Sequence, residues 1–234
     1  MKDGGSKVFP AKKQRRENKL TPYLFLLPTI LLMGTFIYYP FVKTIGTSFF
    51  LTNATGKAVE FIGLENYQKV FSDSLFIQSI KNTFIYALIQ VPVTIVLAFL
   101  MAMAANKKRK ASWLYELTFA FPMAVSMSVA ALIFKLMLNP QIGIVNHIFG
   151  LDVQWFNGEK TALLSVIILG VWLGLGMDFL YLLSAVRSVP DDLIEAARID
   201  GCPNWKLMFK IYLPIMSPTV FYLICTNLAT AMMM

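Results

Sequence analysis

The sequence predicts an all-α integral membrane domain with five spanning helices, on three observations. The 234 residues are 57% hydrophobic and only 15% charged, against about 25% charged in a typical soluble domain. The charges are clustered and leave uncharged stretches from Leu20 to Val42, Asn82 to Asn106, Leu117 to Phe134 and Thr161 to Met177. A fifth such stretch runs from Ile211 to Met234. A helix needs about 20 apolar residues to cross a bilayer, and lipid offers no partner to an unpaired backbone group. A membrane β-barrel would alternate with period two in segments of about ten residues, and these stretches do not alternate.

In chain order, residues 1–19 form a polar, basic tail, and residues 20–234 read as one transmembrane domain. The first span is expected over 20–46, with Pro28 and Pro40 inside it. It is too long for the apolar core of a signal peptide and no small-residue cleavage site follows, so it reads as a retained anchor. Residues 47–79 form an outer segment rich in turn formers and aromatics. The second span covers 81–105 with a bend expected at Pro92, and the basic hinge Lys107 to Lys110 returns the chain. The third covers 113–138, with Trp113 and Tyr115 suited to the membrane interface. An outer loop with turn signals at Asn139-Pro140 and Asn157-Gly158 leads to the fourth span, 161–186. A loop over 187–208 precedes the fifth span, 209–234. Pro92, Pro122, Pro214 and Pro218 each remove a helical hydrogen bond and bend their helix. Bent helices are common where membrane proteins bind cargo, and proline is also tolerated in spans without that role. Gly170 and Gly174 form a GxxxG pair, with Gly176 a third small site, which is a signal for close helix packing.

The net charge of +8 is unevenly placed. Fifteen of the 21 basic residues fall in the tail, in the Lys107 to Lys110 hinge, or at Arg187, Arg198, Lys206 and Lys210. Only Lys43, Lys57, Lys69, Lys81, Lys135 and Lys160 fall toward the other side. The positive-inside rule then puts the N-terminus and the 187–208 loop in the cytoplasm. Nucleic-acid binding is excluded as a reading of the tail, which lacks interleaved aromatics and any recognised module. Cys202 and Cys225 favour neither a disulfide nor a metal motif. His147 is alone, so no metal site is expected.

The loop carries the most specific signal. Pro190 stops the fourth helix, Asp192 is placed as an N-cap, and Glu195 three residues on completes a capping box. A short helix is expected from Leu193 to Asp200, ended by Gly201 in the left-handed conformation and by Pro203. Leu193, Ala196, Ala197 and Asp200 share one face. Ala196 and Ala197 keep that surface narrow enough to enter a partner's groove.

The run Glu195-Ala196-Ala197, then Gly201, then Ile211, Leu213 and Pro214, matches the EAA signature Glu-Ala-Ala-x3-Gly-x9-Ile-x-Leu-Pro at every spacing. The chain thereby resembles the permeases of binding-protein-dependent ABC importers. Thr21 to Pro28 resembles the family's opening helix, and Asn139-Pro140 with Gly143 and Asn146 its second outer loop; Phe61 to Tyr67 with Asn82-Thr83, and Ser188-Val189-Pro190 with Leu193-Ile194, are similar to the carbohydrate-uptake branch. The resemblance implies a MetI-like type I importer transmembrane fold and a second, homologous permease subunit. It also implies two cytoplasmic ABC ATPases and an external solute-binding protein. No G-x4-GK[ST] sequence occurs, so ATP would be bound by the ATPase partners; no cofactor and no enzymatic activity are expected in this chain. Glu195, Ala196, Ala197, Asp200, Gly201, Ile211, Leu213 and Pro214 are the expected ATPase-coupling residues. Trp172, Asp178 and Asn227 are the candidates for the solute pathway. A carboxylate inside a span is by default a functional candidate; the plainer reading of Asp178 is a helix-packing hydrogen bond. Members of the family continue through a sixth helix, so a chain ending at Met234 is expected to be a fragment or a truncated product. The alternative function is an ion-coupled carrier, which would need coupling-ion residues and usually inverted repeats. A membrane-embedded enzyme finds no paired carboxylates or nucleophile–base set.

Overall fold

The computed structural model describes residues 21–106 and 112–233; the basic tail 1–19 and the Lys107 to Lys110 hinge lie outside the described residues. The chain divides into two compact units after Ser74.

In the first unit, α1 (Thr21–Met33) and α2 (Tyr39–Thr47) are joined by a π-helical turn, Gly34–Tyr38. Together they form a rod over Pro22–Thr47 long and apolar enough to cross a membrane. The expected 20–46 helix is present but widened at one point. Proline lacks an N–H and its ring crowds the carbonyl four residues back. Directly before Pro40, the Tyr39 N–H reaches Gly34 O, five residues back. A short antiparallel hairpin follows, β1 (Phe50–Thr52) and β2 (Ala58–Phe61), with Phe50 opposite Phe61. Asn53 Oδ1 accepts from the Thr55 and Lys57 amides and closes its turn. In α3 (Glu65–Ser72), Asn66 donates to Ser48 O and Phe50 O, tying the helix to the hairpin.

The second unit is a helical bundle. Its first helix, α4 (Ser74–Ala105), opens seven residues before the expected start at 81. Lys81 was the only reason to begin there, and one exposed lysine does not end a helix. Pro92 lies inside α4 and leaves the helix continuous. Tyr86, Gln90, Thr94, Ala98 and Ala102 form a buried stripe at spacing four.

The expected third span, 113–138, is broken. Helix α5 (Ser112–Ala120) runs into a 3-10 turn, Phe121–Ala124, and α6 (Met127–Met137) leaves at 98°. Pro122 removes a donor at the break, Val125 and Ser126 are extended, and Ser126 Oγ caps α6 by accepting from the Val129 amide. The described residues thus hold four continuous rods long enough to span and one bent pair, five spans if the bent pair counts as one.

In the loop that follows, α7 (Ile144–Phe149) ends on Gly150 at φ 60°. Asn146 is its buried hub: it donates to Val153 O and accepts from Trp155 Nε1 at 2.7 Å. Ser165 Oγ donates to Trp155 O, fixing the loop to α8 (Ala162–Arg187). Next come α9 (Asp191–Ile199) and α10 (Asn204–Leu207), a second π turn, Met208–Tyr212, and α11 (Leu213–Met232). The last rod begins at Asn204, after Pro203, and not at 209. Its π turn repeats the device of the first rod: directly before Pro214, the Leu213 N–H reaches Met208 O, five residues back.

Lipid removes the hydrophobic drive for helices to associate, so close packing of small residues carries the load. A Cβ on Gly170 would overlap the Tyr86 hydroxyl, and one on Gly174 would lie 3.0 Å from Thr94 Cγ2. Both glycines therefore seat α8 on the α4 stripe. Gly176 faces elsewhere: its Cβ would lie 2.6 Å from the Met123 backbone nitrogen, at the break.

Candidate coupling surface and polar cleft

Helix α9 begins two residues earlier than the sequence suggested. Pro190 is the N-cap, at φ −59° and ψ 131°, and no side chain caps the helix. Asp192 is therefore inside the first turn beside Asp191, and the Asp192–Glu195 capping box does not form. Proline's fixed φ and missing donor suit it to the boundary, and both aspartates complement the positive end of the helix dipole. The C-terminal end forms as expected. Gly201 adopts φ 73°, its N–H reaches Arg198 O at 3.0 Å, and the Cys202 N–H reaches Ala197 O at 2.9 Å. That pair of bonds is a Schellman closure.

Ile194, with Val189 and Leu207, anchors this loop in the core, and Ala197 packs against it. The expected four-residue face therefore splits: Ala197 turns inward while Leu193, Ala196 and Asp200 stay exposed. Ile199 is 86% exposed beside them. Glu195 and Arg198 line a cleft of about 600 Å³ with Met103, Asn204 and Tyr212. Arg187, the last residue of α8, grips Glu116 on α5 through Nη2 to Oε1 at 2.5 Å and Nη1 to Oε2 at 3.4 Å.

A second feature lies along the middle of the bundle. A cleft of about 310 Å³ is lined by Tyr86 and Gln90 of α4, by Pro122, Met123, Val125 and Met127 around the break, by Gly170 and Gly174 of α8, and by Asn227 and Thr230 of α11. Gln90 Nε2 donates to Thr94 Oγ1 at 3.1 Å, and Thr94 Oγ1 donates back to Gln90 O at 2.8 Å. Asn227 Nδ2 donates to Asp178 Oδ2 at 2.8 Å, joining α11 to α8. Asp178, 3% exposed, does not line the cleft. Its bond to Asn227 is the helix-packing contact foreseen as its plainer role. Trp172 packs at a tilt against Phe134 with ring centroids 5.6 Å apart, also away from the cleft lining.

Residues 94–234 match the family described as binding-protein-dependent transport system inner membrane component. The chain belongs to that family. It is therefore a permease subunit of an ABC importer, an inner-membrane component and not an enzyme, and the ion-coupled carrier gives way. The permease is 33% identical over 206 residues to a probable ABC transporter permease protein, YurN, of Bacillus subtilis, covering 85% of this chain and 70% of that one. It is 30% identical over 226 residues to the sn-glycerol-3-phosphate transport system permease protein UgpA of Agrobacterium fabrum, covering 95% and 74%. Among solved structures, it is similar to a bacterial ABC transporter involved in the import of the acidic polysaccharide alginate. The TM-score is 0.74 at 26% identity, covering 90% of this chain and 73% of that one. The same kind of transporter in complex with an alginate pentasaccharide-bound periplasmic protein matches with a TM-score of 0.72 at 26% identity, covering 88% and 70%.

Sequence reasoning missed Gln90, Thr94 and Glu116 in the permease. Gln90 and Thr94 carried a usable signal: two polar residues one turn apart inside an otherwise apolar span. Glu116 carried none, because its importance comes from Arg187, 71 residues away. Ile211, Leu213 and Pro214 of the motif sit on or just after the π turn that opens α11.

Proposed function

We propose that this permease imports a sugar or sugar-like polyol and takes its driving force from a separate ATPase that docks on α9. The observation that carries the reading is α9 itself. A nine-residue helix closed by a left-handed glycine is anchored by Ile194, and it leaves Leu193, Ala196, Ile199 and Asp200 for a partner. The small side chain of Ala196 lets another protein's groove approach the helix backbone, as in other helix-in-groove contacts. In this reading Gly201 shapes the coupling element, Ile211, Leu213 and Pro214 open the rod that follows it, and Glu195 lines the adjoining cleft. The partners are a second, homologous permease, two cytoplasmic ATPases that bind the ATP, and an external solute-binding protein. The chain itself uses no cofactor.

The solute reading rests on the relatives named for glycerol phosphate and alginate transport, together with the chemistry of the central cleft. Gln90, Asn227, Thr230 and Tyr86 offer hydrogen-bonding groups and no fixed charge, which suits hydroxyl-rich cargo. Trp172, outside the cleft lining, stays a candidate for the pathway, and Asp178 supports Asn227. In this reading the N-terminus and the α9 loop face the cytoplasm, the side on which basic residues accumulate in membrane proteins.

One experiment tests both halves of the proposal. The complex is isolated through a tag on this chain, and its partners are identified by mass spectrometry. Uptake of labelled sugars and polyols is then compared with and without the chain. In intact cells a membrane-impermeant thiol reagent should leave Cys202 unlabelled. Ready labelling of Cys202, or co-isolation without any ATPase, would overturn the reading.

A further inference from the structure

Helix α5 is held on α8 at three levels. At the α9 end, the Arg187 guanidinium grips both Glu116 oxygens. One turn along, Phe119 meets Phe179 edge-on with centroids 5.4 Å apart. At the break, Ala120 O and the Met123 backbone press against Gly176, where no side chain fits. Beyond Ala124 the chain turns: Val125 and Ser126 are extended, and α6 departs at 98°, meeting α8 again through Phe134 against Trp172. Pro122 and Met123, before this joint, form part of the wall of the central cleft.

The α9 end of this assembly has little slack. Only Ser188, Val189 and Pro190 separate Arg187 from α9. The Ser188 N–H bonds back to Ser184 O, the Val189 N–H to Val186 O, and the Val189 side chain is buried. A shift of α9 must therefore move Arg187. Arginine at the C-terminus of α8 is explained by the helix dipole alone; a glutamate facing it from α5 is not. The two side chains are 47% and 29% exposed, where ion pairs add little to stability. A two-pronged guanidinium–carboxylate contact nevertheless fixes relative orientation, which a point charge such as lysine would not do.

We infer that Arg187 and Glu116 are positioning residues of the transport cycle: their fork binds α5 to the α8–α9 junction, so displacement of α9 carries the Pro122–Met123 wall of the cleft with it about the Val125–Ser126 joint. This rests on the reading of α9 as the ATPase contact. The two ends become coupled sites, and the fork is the part of the connection that can be removed without altering either end.

The test uses the complex isolated through a tag on this chain, with Cys202→Ser and Cys225→Ser and a reporter Val125→Cys at the joint. The readout is the rate of reporter labelling by a soluble maleimide, with and without Mg-ATP. With the fork intact, ATP should change the rate by at least about five-fold, a usual size for coupling between sites. Glu116→Gln and Arg187→Gln should each reduce that response below about two-fold while the ATPase still co-isolates and hydrolyses ATP. The exchange Glu116→Arg with Arg187→Glu should restore most of it, which a loss of folding would not permit. An unchanged response in the single variants, or an exchange no better than they are, would overturn the inference. Loss of the ATPase from the single variants would also overturn it, by making the pair part of docking. A complex with the fork intact that shows no ATP response would remove the coupling reading itself, and the fork's role with it.

Discussion

The α9 loop and the α5–α6 break are both short interruptions of a helical chain at a proline, yet they are specified in different ways. In α9 every determinant is local. Pro190 starts the helix, Gly201 ends it at φ 73°, and the Schellman bonds span five residues. At the break, Pro122 and Ser126 make an interruption possible, but its place against the bundle is set by Gly176, more than 50 residues away. A turn whose bonds close on itself can be read from spacing alone. One that leans on another helix cannot.

That contrast can be broken most forcefully at Gly176. Gly176→Leu drives atoms into the Met123 backbone and Ala120 O, which cannot rotate aside as a side chain would. The expected cost is about 3 kcal/mol, at the upper end for overpacking, seen as a lower unfolding temperature in detergent with α9 exposure unchanged. Stability equal to the parent would mean the break does not depend on α8.

The converse change is Gly201→Val. A side chain in the left-handed region costs about 1–2 kcal/mol, more readily felt with a β-branched residue. The bundle should keep its unfolding temperature to within a few degrees, while ATPase co-isolation and uptake fall sharply. Gly201→Asn should be the milder variant, since asparagine tolerates this conformation. Normal uptake by Gly201→Val would show that the closure is dispensable.

The smallest effect is expected in the span interior. Asn227→Leu deprives Asp178 of its donor, at a cost of about 1 kcal/mol for an interhelical hydrogen bond in a membrane. Adding Asp178→Leu should recover part of that loss. Strict additivity of the two changes would mean that the 2.8 Å contact contributes nothing to holding α11 on α8.

The same division governs what could be read from the sequence. The long rods were legible because uncharged length is a local property; the fourth span was expected at 161–186 and found at Ala162–Arg187. Two starts were expected too late, at Lys81 and at Phe209: the helices open at Ser74 and at Asn204, the first running past an exposed lysine and the second beginning directly after Pro203. The capping box failed because Pro190 took the boundary that Asp192 was expected to hold. Both π turns lie one residue before an X-Pro step, at Pro40 and Pro214, whereas Pro28, Pro92 and Pro218 sit in unwidened helix. Proline alone therefore does not forecast the widening. Of the site, the motif and its glycine were readable, and Asp178 and Asn227 were named singly. Their pairing, like that of Arg187 with Glu116, needs the packing of distant helices.

The most direct test of α9 as the coupling element is a cross-link from its exposed face. Leu193→Cys is placed in a chain carrying Cys202→Ser and Cys225→Ser, and a short bifunctional thiol reagent is applied to the isolated complex. The account predicts one dominant product, in which mass spectrometry finds this chain joined to a subunit carrying a G-x4-GK[ST] sequence. The same reagent on Ile148→Cys, in α7, should give no such product. Cross-linking of Leu193→Cys to the second permease or the solute-binding protein, with none to the ATPase, would contradict it.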